Sequence, residues 1–211
     1  MSLAKKLWAE NEDLAQAALA HPFVQGLRTG TLPREIFQHY ITQDAFFLDT
    51  FARSYALALA HSPDRQGIHD FFELLAGVLE ELRLHTGYAE KWGVSLSNIN
   101  PDSATLDYTN YLLGTAFLRG TGETCAAMAP CMRLYAFLGQ SLAADTKNRE
   151  NQYIEWIRTY SSSDFEALAT RLESLLDRYA TDTEAVHIAY RRAMTLEVAF
   201  FEAQSVTTAK Q

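Results

Sequence analysis

The segment MAPCMRLYAFLGQSL, Met128–Leu142, sets a thiol and a phenol four residues apart, Cys131 and Tyr135. In a helix that spacing puts both side chains on one face. A cysteine thiolate adds to electron-poor carbon, and a neighbouring hydroxyl can bond either the sulfur or a ligand. Two other apolar stripes each carry one acid. Phe37, Tyr40, Asp44, Phe47, Phe51 and Tyr55 follow helical spacing, with Asp44 in their midst. Tyr190, Met194, Glu197 and Phe201 do the same, and Leu196, Val198, Ala199 and Phe200 flank Glu197. A further stripe holds Tyr108, Leu112 and Thr115. A buried carboxylate is costly unless something pairs with it, and two in one core are unusual where the core only packs. A thiol, two carboxyls and several rings suit a flat, polar, nitrogen-bearing ring as ligand. The carboxyls would bond ring nitrogens or exocyclic amines, and the thiol would attack a ring carbon. Each group also has a structural explanation. Cysteine packs as a small hydrophobe, a core tyrosine satisfies its hydroxyl locally, and each acid can bond an arginine, a tyrosine or a helix end. Periodicity establishes burial and leaves open which helices face one another.

Metal binding is the rival chemistry. Glu81 and His85, in EELRLHTGY, have the i, i+4 spacing that can present two ligands to a metal. A dinuclear site would need more carboxylates and histidines on facing helices. The helix after DTKNREN has no histidine, and His187 is alone on its helix. Glu81 and His85 are therefore expected at the surface or behind a site, with no metal. The chain has no CxxC, GxGxxG or P-loop, and GTG near residue 121 follows a helix, so it marks a turn.

Seven or eight helices must hold these side chains. The first spans about residues 2–20, and HPFVQGLRTGTLPRE breaks the chain after it. Pro33 suits the first turn of a long second helix. HSPDRQG precedes a third helix that runs to about Trp92, and GVSLSNINPDSAT is the longest polar connector. RGTGET follows the fourth helix and starts the fifth, which carries Cys131. DTKNREN precedes a short helix ending near Tyr160; YSSSDFEAL then reads as an N-cap, and the last helix covers about 182–206. No segment alternates with period two, and no repeat or long linker appears. The expectation is an all-α bundle with residues 1–211 as one domain.

With 211 residues, 48% of them hydrophobic, the chain can bury a sizeable core. Its net charge of -8 and lack of a basic run disfavour nucleic acid and anionic membranes as partners. No apolar run approaches the roughly 20 residues of a membrane span, and MSLAKKLWAENEDLAQAAL lacks the apolar core of a signal peptide. Cys125 and Cys131 are six residues apart on one helix, so they diverge by about 120° and pair poorly as a disulfide. Two free thiols fit a reducing, cytoplasmic setting.

The chain resembles the TenA/THI-4 family, the thiaminase II-like aminopyrimidine aminohydrolases, in its cysteine-containing branch. The likeness covers nearly the whole chain and rests on HPFVQGLRTGTLPREIFQHYITQDAFFL, MAPCMRLYAFLGQSL, YIEWIRTYSSSDF and LEVAFFE, in that order. It implies a haem-oxygenase-like fold without haem, a homotetramer, and no cofactor. It implies hydrolysis of 4-amino-5-aminomethyl-2-methylpyrimidine to the 5-hydroxymethyl compound and ammonia, with thiamin as a further substrate. By motif, Cys131 would be the nucleophile and Glu197 the acid that protonates the leaving group. Asp44 would hold the ring nitrogens, with Tyr108, Tyr135 and Tyr160 lining the pocket. Phe47 stands where several relatives have tyrosine, which preserves stacking and removes a hydroxyl. Two other readings stay open: a non-catalytic or regulatory pyrimidine binder, and a metal-dependent oxidase of similar fold.

Overall fold

A computed structural model describes residues 1–144 and 151–206. Residues 145–150, most of the DTKNREN connector, lie outside the described residues. Among the described residues the chain forms ten helices: α1 Leu3–Glu10, α2 Glu12–Ala20, α3 Pro22–Thr29, α4 Arg34–Ala60, α5 Arg65–Trp92, α6 Ser103–Leu118, α7 Thr121–Ala143, α8 Ile154–Tyr160, α9 Ser163–Tyr179 and α10 Glu184–Val206.

The all-α expectation holds, but the helix count rises at the N-terminal end for local reasons. Asn11 divides the expected first helix. Its side-chain amide donates to the Leu7 carbonyl at 2.8 Å and its backbone N–H to the Trp8 carbonyl at 3.1 Å, a local bonding that competes with helix continuation. The expected break after His21 contains α3. His21 Nδ1 accepts from the Phe23 N–H at 3.2 Å, Pro22 occupies the first turn, and Gly30 closes the helix at φ 75°. Phe23, Val24 and Leu27 bury its inner face. Pro33 caps α4 from just outside the helix. Farther along, Asp64 caps α5 by accepting from Gly67 N–H at 2.8 Å, and Ser162 caps α9 by accepting from Phe165 N–H at 3.2 Å.

Helix α7 runs through the core. Every residue from Thr124 to Met132 is buried, so this helix is enclosed on all sides. It packs against α6, α8, α9 and α10. Pro130, immediately before Cys131, cannot donate the helical hydrogen bond to Ala126. Arg133 fastens α7 to α9 by bonding Glu166 at 2.9 Å and Glu173 at 2.7 Å. Asp70 of α5 holds Arg171 of α9 at 2.9 Å.

Gly139 lets α8 approach α7. A Cβ there would lie 2.7 Å from the Ser161 nitrogen and against the Tyr160 carbonyl carbon, both backbone atoms that cannot swing aside. A Cβ at Gly114, inside α6, would meet nothing within 4 Å. Gly139→Ala is therefore expected to lower unfolding free energy by about 1–3 kcal/mol through overpacking. Gly114→Ala should raise it by roughly 0.5–1 kcal/mol, because alanine favours the helix. Equal stabilities of the two variants in urea titrations would contradict this account of the α7–α8 contact.

Candidate active site

Six helices each turn chemistry-bearing side chains toward one buried region. Helix α4 supplies Asp44 and Phe47, α5 Glu81 and His85, α6 Tyr108, α7 Cys131 and Tyr135, α8 Tyr160, and α10 Glu197. Asp44 is 3% exposed, Glu197 1% and Cys131 7%. The separate stripes read from the sequence thus converge.

Glu197 anchors the centre. The Tyr108 hydroxyl donates to Glu197 Oε1 at 2.7 Å, and the Cys131 thiol hydrogen-bonds the same carboxyl. Burial pushes the Glu197 carboxyl up to about 8. The bonds from Tyr108 and Cys131 pull the other way, and the charge of Asp44 adds to the rise. Glu197 therefore carries a proton at neutral pH in most molecules. Burial also drives the Cys131 thiol well above its ordinary value, and the carboxylates of Glu197, Glu81 and Asp44 reinforce it. The resting sulfur is a thiol, so it must lose its proton as it attacks. Cys125, the other free thiol, is buried and held up by burial.

Two aromatic pairs flank this centre. Phe47 lies 4.8 Å from Tyr108 between ring centroids, and Tyr135 lies 4.8 Å from Tyr160. Phe200 contacts Phe47, and Phe201 contacts Tyr135. The Tyr135 hydroxyl hydrogen-bonds Tyr40, which also accepts from Trp156 Nε1 at 3.1 Å.

Of the two placements expected for Glu81 and His85, helix α5 puts them behind the site and not at the surface. His85 is buried, and its Nε2 lies 2.6 Å from Asp44 Oδ2. Glu81 is partly buried and accepts from the Tyr160 hydroxyl at 2.7 Å. Burial raises Glu81 to about 7; His85 and the Tyr160 bond oppose the rise and Asp44 adds to it. A sequence signal for both residues existed. Phe71, Leu74, Val78, His85, Ala89 and Trp92 are the buried stripe of α5, and Glu81 falls on its line. Tyr40 was legible on the α4 stripe, but nothing in the sequence tied it to Tyr135. Among the described residues no three His, Cys, Asp or Glu side chains converge as a metal site would need. None of the helices described is long and apolar enough to cross a membrane.

The fold and the site define a haem-oxygenase-like helical protein with a thiol–carboxyl pair enclosed by aromatic rings. The chain belongs to the TENA/THI-4/PQQC family, whose profile matches residues 8–207. It is 35% identical over 185 residues to the aminopyrimidine aminohydrolase of Halalkalibacterium halodurans, covering 85% of this chain and 83% of that one. It is 33% identical over 229 residues to the bifunctional TH2 protein, mitochondrial, of Arabidopsis thaliana, covering 96% of this chain. The match spans 37% of that longer protein. Among solved structures, a TenA family transcription regulator from Silicibacter sp. TM1040 matches with a TM-score of 0.89 at 29% identity over 96% of each chain. Haem oxygenase-1 of Synechocystis sp. PCC6803 shares the fold, at a TM-score of 0.63 and 13% identity, over 96% of this chain and 92% of that one.

The raised carboxyls make stability depend on pH. Glu81 and Glu197 rise from 4.5 to about 7 and about 8 on folding. Folding thus takes up protons above about pH 4.5, and the stabilisation carried by the neutral acids is lost as pH climbs through the two folded values. His85, also raised, acts in the same direction. Thermal midpoints should fall between about pH 5 and about pH 9, and the double variant Glu81→Gln, Glu197→Gln should flatten that decline. A double variant with the wild-type slope would contradict the burial of these acids.

Proposed function

We propose that this protein is an aminopyrimidine aminohydrolase of thiamin salvage. It converts 4-amino-5-aminomethyl-2-methylpyrimidine and water to the 5-hydroxymethyl compound and ammonia, and cleaves thiamin by the same chemistry. The observation that carries this reading is the hydrogen-bonded Cys131–Glu197 pair set beside Asp44 and walled by aromatic rings. The Halalkalibacterium halodurans relative, whose name states that activity, supports it over most of the chain.

In this reading Asp44 binds ring nitrogen and amine, and Phe47, Tyr108, Tyr135 and Tyr160 enclose the ring. Cys131 and Glu197 share one mobile proton. In the form that has lost the other proton, the thiol gives its proton to the Glu197 carboxylate as sulfur bonds C6 of the pyrimidine. Electrons pushed into the ring expel the substituent on the C5 methylene; Glu197 protonates a departing amine, whereas the cationic thiazolium of thiamin leaves as neutral thiazole and the proton passes to solvent. Water then adds to the exocyclic methylene and leaves its proton on Glu197. The C6–S bond breaks, the ring regains aromaticity, and sulfur recovers the proton. No cofactor takes part in this cycle.

The protein acts in the cytoplasm as a homotetramer, with residues 1–211 as one domain. Exposed apolar side chains support the assembly: Ile68, Phe72 and Leu79 along α5, and Phe117 and Leu118 at the end of α6.

Two measurements test the reading. Ammonia release from the aminomethyl pyrimidine should be readily detected with wild-type protein and with Cys125→Ser. Cys131→Ser should fold and bind the pyrimidine but lose nearly all turnover. Turnover within about tenfold of wild type, about 1.4 kcal/mol in barrier, would remove Cys131 as nucleophile.

The pH profile tests the proton transfer. Attack requires Glu197 ionised, and burial holds that carboxyl at about 8. The kcat/KM for thiamin should therefore climb from about pH 6, reach half its maximum near pH 8 and level off above about pH 9. Glu197→Gln should abolish this limb. A residual Glu197→Gln activity with the same climb would assign it to another group.

A further inference from the structure

We propose that His85 is a positioning residue for ring recognition: its imidazolium fixes the Asp44 carboxylate through Oδ2 and leaves Oδ1 to accept from the pyrimidine. The inference rests on the aminopyrimidine reading of the site and assigns a device within it.

The geometry determines the proton count. His85 Nε2 lies 2.6 Å from Asp44 Oδ2, and Nδ1 lies 3.3 Å from the Glu81 backbone carbonyl. Both neighbours are acceptors. Against an Asp44 carboxylate, a singly protonated ring would set one nitrogen lone pair against an acceptor oxygen, whereas a doubly protonated ring donates twice. The His85–Asp44 pair therefore holds one ionic proton between two buried side chains, 6% and 4% exposed. Among the described residues, His85 supplies the hydrogen bond of Asp44, and it engages Oδ2 alone.

Asp44 is the acid that His85 bonds through a side chain, and Glu81 adds a second negative charge nearby. His85 borders a small cavity of about 10 Å³ that Tyr40 lines from α4, Glu81 and Tyr88 from α5, and Trp156 and Tyr160 from α8. Of these groups, Glu81 is the one other acid, and its carboxyl is turned to the Tyr160 hydroxyl. Burial alone would strip the proton from His85; the bond and charge of Asp44, with the charge of Glu81, outweigh it and raise the imidazole. Two residues one turn apart on α5 thus orient two pocket side chains on two other helices. Without His85, Asp44 would be a buried carboxylate with no cation beside it. Burial of an unpaired carboxylate favours its protonated form, which accepts less well from the ligand's amine.

The test compares His85→Gln with wild type in calorimetric binding of 4-amino-5-hydroxymethyl-2-methylpyrimidine at about pH 6 and about pH 8.5. Glutamine keeps an N–H for Asp44 but carries no charge. His85→Asn repeats the test with a shorter amide if the glutamine chain does not fold. The ligand's own titration is common to every protein compared. Binding by the variant should be at least about tenfold weaker than wild type at the lower pH and should recover toward wild type at the higher pH. Combined with Asp44→Asn, the His85 change should add less than about twofold, because the two residues act as one unit. A defect of equal size at both pH values, or none, overturns the proposal while wild-type binding and ammonia release leave the function intact. Wild-type protein that neither binds the pyrimidine nor releases ammonia overturns both.

Discussion

Desolvation of charge is the constraint on which this structure turns. Glu197 sits 1% exposed with a thiol and a phenol as its hydrogen-bond partners. No cation lies among those partners, so the cheaper state of the carboxyl is the neutral acid. Burial that would be a liability in a packing core here stores a proton beside a thiol. The same burial holds the thiol protonated, so neither group acts alone. Asp44 meets the same constraint differently. It is as deeply placed, but His85 gives it a partner able to hold positive charge. Two acids in one core thereby meet different partners, one a thiol and a phenol, the other an imidazole.

The bundle exists to keep these groups dry and in register. Helix α7 is enclosed on every side through Cys131, and Arg133, just beyond it, is neutralised by Glu166 and Glu173 of α9. Gly139 then draws in the backbone of Tyr160, which brings that hydroxyl to Glu81. Helix α5 reaches past its own packing stripe to brace α4 and α8. The aromatic pairs Phe47–Tyr108 and Tyr135–Tyr160 exclude water and offer flat surfaces at small entropic cost. Tertiary packing, more than helix propensity, therefore determines the electrostatics of the site.

Much of this was legible in the sequence. Asp44 and Glu197 stand out because each interrupts an aromatic or aliphatic stripe, and Cys131 with Tyr135 because their spacing shares a face. The long helices α4, α5 and α7 follow from periodicity and from Pro33, Gly93 and Gly120 at their ends. Periodicity states which face of a helix is buried but not what it meets. Hence the His85–Asp44 bond, across 41 residues, was not readable. The Tyr135–Tyr40–Trp156 chain escaped for the same reason. Short α3 was hidden because its proline and glycine, which read as breakers, serve as its start and its cap.

The central claim is that Glu197 rests as a neutral acid and ionises near pH 8. Infrared difference spectra of wild type against Glu197→Gln, taken across a pH titration, observe that proton directly. The account predicts a protonated carboxyl C=O band that is present at about pH 6 and bleaches with a midpoint near 8. A carboxylate signal from Glu197 already dominant at about pH 6 would contradict it.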